Sequence, residues 1–410
     1  MSRIEDLIAD LCPDGVEYRP MWRLTSWDKR FNAVERSKQP LVFKYNYFLA
    51  NDLRPLVVDG GDVKLLTTNT SNLWTSEELA GDMVSEGEVV AIPWGGNPNV
   101  QYYKGKFLTA DNRIAVSNDT NVLDTKFLYH FMQNNLVLIG SFYRGSGIKH
   151  PSMAQVLDLP IPLPPLEVQR EIVAILDTFA ELEAELEAEL VARKRQYEYY
   201  RDSLLSFYET EVRRIPIGDL ASVVRGASPR PIQSFITDAE DGVPWIKIGD
   251  VLPGDKYITG TAERVTPAGS AKSRRIHPGD FVLSNSMSFG RPYISKIEGC
   301  IHDGWLAISD FSASFLPDFL YHLLSSAPIQ AEFMRRAGSG TVRNLNAEIV
   351  KAVALPVPPF AEQEHIVNVL DKFDALVNDL SIGLPAELAA RRKQYEYYRD
   401  QLLTFEDASA

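Results

Sequence analysis

The chain carries one seven-residue block twice: Gln196-Tyr-Glu-Tyr-Tyr-Arg-Asp202 returns unchanged as Gln394-Tyr-Glu-Tyr-Tyr-Arg-Asp400. Upstream of the two copies, Leu159-Pro-Ile-Pro162 matches Leu355-Pro-Val-Pro358. A period of about 195 residues in a 410-residue chain far exceeds the ~20–50 residues of a solenoid repeat. It confines the chain to two similar halves. Elsewhere the halves match only as a frame. Phe127-Leu-Tyr-His130 recurs as Phe319-Leu-Tyr-His322, and Gly145-Ser-Gly147 as Gly338-Ser-Gly340. Gly87-Glu-Val-Val90 pairs with Gly279-Asp-Phe-Val282 and Ile114-Ala115 with Leu306-Ala307, both at the 192-residue offset that separates Phe127 from Phe319. Near-identical helices imply two copies of one partner surface; divergent globules of one design imply two different ligands.

The chain divides into a first globule (1–155), a helical segment with its proline ladder (156–212), a second globule (213–350) and a C-terminal helical segment (351–410). Short β-like runs such as Glu88–Pro93 and Arg113–Ser117, glycine-rich turns and a helix expected over Thr125–Leu138 make the globules α+β, a mixed α/β class. The ladders, Pro160 to Pro165 and Pro356 to Pro359, stay extended because proline fixes φ and lacks an N–H. A helix over Leu166–Tyr208 follows the first, with an apolar stripe at Ile172, Leu176, Phe179, Leu182, Leu186, Leu190, Tyr197, Tyr200 and Leu204. The second helix starts near Phe360, and Gly383 with Pro385 should kink or break it. Two such stripes bury each other most simply as an antiparallel, coiled-coil-like pair related by a pseudo-two-fold. The alternatives are that each helix packs on its own globule or mediates homodimerisation.

Two cysteines, Cys12 and Cys300, rule out a disulfide framework and fit a reducing compartment. The first residues lack a signal-peptide apolar core, and no apolar run approaches the ~20 residues of a membrane span. A cytoplasmic protein with no membrane partner is expected. Taken as a total, the net charge of −13 is unfavourable for nucleic acid. Its distribution is not: the helical segments carry −8 and −4, the globules −2 and +1. Each globule can therefore show a basic face to phosphates.

No catalytic constellation is visible: no dinucleotide or Walker loop, no methyltransferase or nuclease signature. The six histidines (His130, His150, His277, His302, His322, His365) lack metal-ligand spacing. Groups suited to nucleic acid are present. Arg144, Ser146 and Lys149 lie on one Gly-rich loop; Arg335, Arg336, Ser339, Arg343 and Asn344 lie on its counterpart. Small residues let backbone N–H groups approach phosphate, while Arg, Lys and Asn contact phosphates or base edges. Further candidates are Arg225, Ser228 and Arg230; Lys272, Arg274 and Arg275; and, in the first globule, Lys29, Arg30, Asn97 and Asn99.

Across essentially its whole length the chain resembles the specificity subunits of type I restriction–modification systems. The resemblance rests on Ile4–Tyr18, on the two ladders with Gln169 and Gln363, on the two Gln-Tyr-Glu-Tyr-Tyr-Arg-Asp blocks, and on Val224–Pro229 with Pro244–Asp250. The first half departs from the last pattern, with Trp27-Asp-Lys-Arg-Phe31 and Val63-Lys-Leu-Leu-Thr67 in place of it. The resemblance implies two target-recognition domains reading the halves of a split, asymmetric duplex DNA site. It implies a helix pair that spaces them and docks two modification subunits through Gln169, Gln196, Tyr197, Tyr200, Arg201 and Gln363, Gln394, Tyr395, Tyr398, Arg399. Two restriction subunits complete such complexes. S-adenosylmethionine, ATP and Mg then belong to the partners, and this chain is non-catalytic with no cofactor or metal. The alternatives are a standalone DNA-modifying enzyme with unrecognised motifs, or a helical scaffold that does not touch DNA.

Residues 180–190 repeat Ala-Glu-Leu-Glu at a period of four, and Asp177 to Arg193 spans 16 steps where Asp371 to Arg391 spans 20. Four helical residues advance ~6 Å and rotate a net ~40°. One base pair of B-DNA advances ~3.4 Å and turns ~36°. A tetrad is therefore worth one or two base pairs of spacing, unless it is only a solvated acidic face.

Overall fold

The computed structural model describes residues 2–207, 212–251, 254–285, 289–337, 344–379 and 381–408. The chain forms two compact units, Met1–Ala184 with Ala390–Ala410, and Glu185–Ala389. Both boundaries fall inside long helices, Leu166–Leu204 and Leu384–Leu402.

The first unit is built on a seven-stranded sheet, in the order Thr25–Trp27, Asn112–Ser117, Ser85–Pro93, Gln101–Ala110, Val63–Leu66 and Trp74–Thr75, with Tyr47–Phe48 also beside Gln101–Ala110. Its central strands read as continuous apolar runs because both faces are covered. Val90, Ile92 and Ala115 enter one core, Val89, Ala91 and Ile114 another. Asp124 caps the next helix, accepting from the N–H groups of Lys126 and Phe127, and Phe127, Leu128, Phe131 and Met132 fill the first core. The helix stops at Asn134 rather than Leu138, and a short helix, Leu136–Ser141, follows. Asn135 makes the break: it leaves helical geometry (φ −95°, ψ 17°), and its side-chain amide donates to the Phe131 carbonyl.

The second unit uses two sheets. One runs Ser222–Arg225, Trp305–Ser309, Phe281–Ser284, Pro292–Ser295, Tyr257–Ile258; the other runs Glu263–Val265, Val243–Ile246, Gly299–Ile301, Arg274–Ile276. Alternation again feeds two cores, Phe281, Leu283, Leu306 and Ile308 on one side, Val282 and Ala307 on the other.

Where the halves agree, they agree in detail. Each proline ladder is a strand of a two-stranded antiparallel sheet: Pro160–Leu163 pairs with Glu17–Pro20, and Ala354–Pro356 with Arg214–Pro216. In each unit a helix start and a helix end pack in opposite directions. Phe179 stacks on Tyr398 (5.6 Å) and Glu183 meets Arg392 (2.6 Å) in the first; Tyr200 stacks on Phe373 (5.4 Å) in the second. Each helix also packs on its own globule, with Ile172 and Leu176 in one core, Tyr197, Ile366 and Leu370 in the other. The stripe is thus buried at its ends, while Leu182 between them is 41% exposed. The second helix is interrupted. Phe360–Asn378 ends, and Leu384–Leu402 begins after a turn in which Asp379 accepts from the N–H groups of Ser381 and Ile382. A Cβ on Gly383 would lie 2.5 Å from the Ala375 carbonyl oxygen, so the turn requires glycine.

A buried histidine anchors each helix start. His130 Nε2 lies 3.2 Å from Asp177, which also takes Lys126 (2.6 Å). His322 Nε2 lies 2.8 Å from Asp371, which takes Lys256 (3.0 Å), while His322 Nδ1 meets the Tyr197 hydroxyl (3.1 Å). Burial raises the pKa of Asp371, but the His322 and Lys256 contacts outweigh it and hold the carboxyl below 3.8. A depressed carboxyl stabilises the fold above its unfolded pKa and stops doing so as pH falls through its folded value. Asp371→Asn is therefore expected to lower stability at pH 7, with a deficit that shrinks as pH falls below the ordinary carboxylate range and vanishes once Asp371 is protonated in the folded chain. Chemical unfolding of both proteins across that range measures it; a deficit independent of pH contradicts the assignment.

Candidate nucleic-acid interface

In the first unit, three of the sequence-predicted segments converge: Lys29–Asn32, Gly95–Asn99 and Tyr143–His150. The Gly-rich loop is a hairpin, Tyr143–Arg144 pairing with His150–Pro151. The Gly96 N–H donates to the Lys149 carbonyl (2.9 Å), the Tyr143 hydroxyl donates to Pro93 O (3.0 Å), and His150 packs on Trp94 at 5.1 Å. A Cβ on Gly95 would lie 2.8 Å from Ile148 Cγ2, and one on Gly145 (φ +144°) would lie 2.8 Å from Ile148 O. Gly95 and Gly145 are thus required by loop packing, while Gly96 and Gly147 have open space about them. Arg30, Asn97, Ser146 and Lys149 are exposed; Ile148 beside them is 69% exposed. Arg144 donates to Gln155 Oε1 (3.0 Å), and Lys29 lies 5.7 Å from the Tyr47 ring centre. Asn99 is a correction: its amide donates to Thr68 O (2.6 Å) and its Oδ1 accepts from Gln101 (3.3 Å), so it ties two loops together rather than facing a ligand.

Sequence reasoning missed the residue at the base of this cluster. Arg113 is only 6% exposed and lines a cavity of about 400 Å³ with Lys29, Arg30, Phe31, Trp94 and His150. Its guanidinium carbon lies 5.7 Å from the Phe31 ring centre and 5.5 Å from that of Trp94. Burial lowers its pKa, opposed by the charge of Asp28. The available signal was an arginine embedded in the apolar strand Asn112–Ser117.

In the second unit, Arg225, Ser228 and Arg230 converge on Asp303, a residue that sequence reasoning also missed, Arg225 through its backbone carbonyl and the other two through its carboxylate. Arg225 Nε donates to Asp303 O (3.0 Å), the Ser228 hydroxyl to Asp303 Oδ1 (2.8 Å), and Arg230 Nη2 lies 3.7 Å from Asp303 Oδ2. The Ser228 hydrogen bond is the main reason the Asp303 carboxyl sits below its ordinary range. A Cβ on Gly226 would lie 2.0 Å from His302 O, so this approach needs glycine. The cluster borders a cavity of about 710 Å³ with Trp245, Lys247 and His302. Lys272 lies 4.8 Å from the Phe235 ring centre, Arg275 donates to Ser270 (2.9 Å), and Arg274 is exposed. Arg335 and Arg336 both hold Glu332 (2.7 and 2.6 Å), whose carboxyl their hydrogen bonds bring down to about 2. Asn344 is exposed; Ser339 and Arg343 lie outside the described residues.

The expected docking residues divide. Gln169 and Gln363 are fully buried. Gln169 accepts from Asp124 N (2.9 Å) and donates to Val122 O (2.8 Å) and Pro164 O (2.9 Å). Gln363 accepts from Leu316 N and donates to Ser314 O and Pro358 O, all at 2.9 Å. They lock each ladder to its globule and cannot face a partner. Tyr197 is buried, and Tyr395 and Tyr398 turn towards Phe179. Tyr200 stacks on Phe373, Arg201 pairs with Asp202 (3.1 Å), and Arg399 donates to Asn134 (2.8 Å). Gln196 and Gln394 are half-buried, accepting from Arg193 (2.9 Å) and Arg391 (3.1 Å). The outward tyrosines are the middle ones, Tyr199 (70% exposed) and Tyr397 (62%). Helical periodicity contains that signal, since residues 197, 200 and 204 share the other face.

Two mixed α/β units, each carrying a basic and aromatic loop cluster and each continuous with a long helix, define a protein of two similar halves. Residues 56–192 and 209–390 match the family described as type I restriction modification DNA specificity domain. The chain belongs to that family. It is 33% identical over 426 residues to the type I restriction enzyme EcoR124I/EcoR124II specificity subunit of Escherichia coli, covering 99% of this chain and 97% of the relative. It is 34% identical over 340 residues to a putative type I restriction enzyme specificity subunit of Haemophilus influenzae, covering 78% and 83%. Its fold matches the crystal structure of the type I restriction–modification S subunit from M. genitalium (TM-score 0.59, 16% identity, 95% and 96% coverage). A chain from a study of complex assembly and conformational transition of the type I system matches at TM-score 0.54, with 20% identity and 78% and 83% coverage. Among the described residues, no helix is long and apolar enough to cross a membrane, and no group of three or more His, Cys, Asp or Glu is placed to hold a metal ion.

Proposed function

We propose that this chain is the sequence-specific DNA-binding subunit of a type I restriction–modification complex. Each unit reads one half of a split, asymmetric duplex site; the helices set the gap and dock two modification subunits. The observation that carries this reading is the contrast between the halves. The outward Tyr199 and Tyr397 recur on helices that the glutamine lock, the histidine anchor and the Phe–Tyr stack hold alike in both units, as two docking sites for one partner require. The loop clusters differ, as readers of two half-sites must. Chemistry then belongs to the partners: modification subunits with S-adenosylmethionine, which flip out the adenine they methylate, and two restriction subunits with ATP and Mg. The chain itself is non-catalytic and works in the cytoplasm.

Phosphate contacts release counterions, so duplex binding by the assembled complex is expected to weaken steeply with salt. Lys149→Ala and Arg144→Ala should each weaken binding to all sequences alike and lower the salt slope by about one. Arg335→Ala should weaken one half-site only. Titration of duplexes across salt concentrations measures all three. Binding that ignores salt contradicts a DNA interface, and an unchanged affinity for Arg335→Ala removes that residue from it.

A further inference from the structure

We propose that Arg113 is a specificity-determining residue of the first unit, donating through its guanidinium to a coplanar acceptor pair on a base edge, the N7 and O6 of guanine. This rests on the DNA-reading function proposed above. Among the described residues the Arg113 guanidinium makes no hydrogen bond or ion pair, and its Nη1 is both buried and unpartnered. Buried charged donors are costly unless paired, and natural structures rarely leave one so. The nearby carboxylates are already engaged: Asp28 accepts from Ile114 N (3.1 Å), Asp111 from the Tyr47 hydroxyl (2.5 Å) and Ala50 N (3.3 Å). Neither carboxylate is within hydrogen-bond reach of Arg113, and Nη1 has no acceptor among the described residues.

The class of acceptor follows from how the group is held. Phe31 and Trp94 both pack on the guanidinium, which fixes its direction before any ligand arrives. A planar donor fork of fixed aim matches two acceptors in one plane, which both a phosphate and the major-groove edge of guanine present, so the surroundings decide between them. Phosphates are served differently. The exposed Arg30 and Lys149 can follow a backbone, whereas the nearly buried Arg113 lines a cavity of about 400 Å³ between Phe31 and Trp94.

Arg113→Lys keeps the charge and loses the fork; Arg113→Met loses both. Each variant, assembled with modification subunits, is tested for methylation and binding against every single-base change in the target. Both are expected to lose discrimination at one guanine of one half-site, by roughly tenfold to a hundredfold. The other half-site, the gap and the salt slope should stay as in the wild type, which also reports that the variants are folded. A second arm changes the DNA: replacing that guanine by 7-deazaguanine should weaken the wild type about tenfold and leave Arg113→Met unaffected. A uniform loss over all sequences, with a lower salt slope in Arg113→Met alone, makes Arg113 a phosphate contact and overturns the proposal. Unchanged discrimination, or indifference of the wild type to 7-deazaguanine at every position, overturns it too. A wild-type complex that recognises no bipartite site refutes the DNA-reading function itself, a result distinguishable from all of these.

Discussion

A chain lacking Ala184–Glu187 is expected to select the same two half-sites with a gap one or two base pairs shorter. The deleted tetrad lies within the continuous helix Leu166–Leu204, where four residues amount to ~6 Å and a net ~40°. The deletion preserves helix propensity and the four-residue pattern, so the helix should re-form in a new register. Most side chains of the segment are exposed, and little core packing opposes the change. The second helix alters the original arithmetic. Its four extra residues between Asp371 and Arg391 coincide with the turn between Asn378 and Leu384, so they are not an added helical tetrad. The deletion in the unbroken helix therefore carries the test of spacing. Methylation-site sequencing of the deletion reads the gap directly; an unchanged gap reduces the tetrad to a solvated face.

The largest stability effects are expected at Gln169 and Gln363. Each amide makes three hydrogen bonds inside its unit. Truncation to alanine leaves buried backbone groups without partners and should cost about 2–4 kcal/mol per site. The two sites share no partner, so the double variant should lose the sum. Denaturant unfolding measures this. A loss under about 0.5 kcal/mol, the range of an ordinary surface substitution, would show that the lock is dispensable.

The parts of this fold legible in the sequence are those written in local pattern. The proline ladders, the helix starting at Leu166 and the break at Gly383 follow from proline and glycine stereochemistry and from a 3.6-residue stripe. Strands at the constant 192-residue offset, Ser85–Pro93 with Phe281–Ser284 and Asn112–Ser117 with Trp305–Ser309, also occupy corresponding places. What escaped depends on contacts remote in sequence. Asp303 gathers Arg225 from 78 residues away. Gln169 reaches Val122 from 47. Read locally, Gln169 in a repeated motif resembles a partner contact; only its hydrogen bonds reveal a lock. The sheets differ for the same reason. The segment between Trp27 and Trp74 in one half, and between Val243 and Ile276 in the other, shares no pattern, and one half builds a seven-stranded sheet where the other builds two.

Single-molecule methylome sequencing of cells expressing this chain with its modification subunit, against cells lacking the chain, tests the account most directly. It predicts a methylated-adenine motif with two different half-sites and a fixed gap, present only with the chain. Methylation unchanged by its removal, in cells whose modification subunit is active, would contradict it.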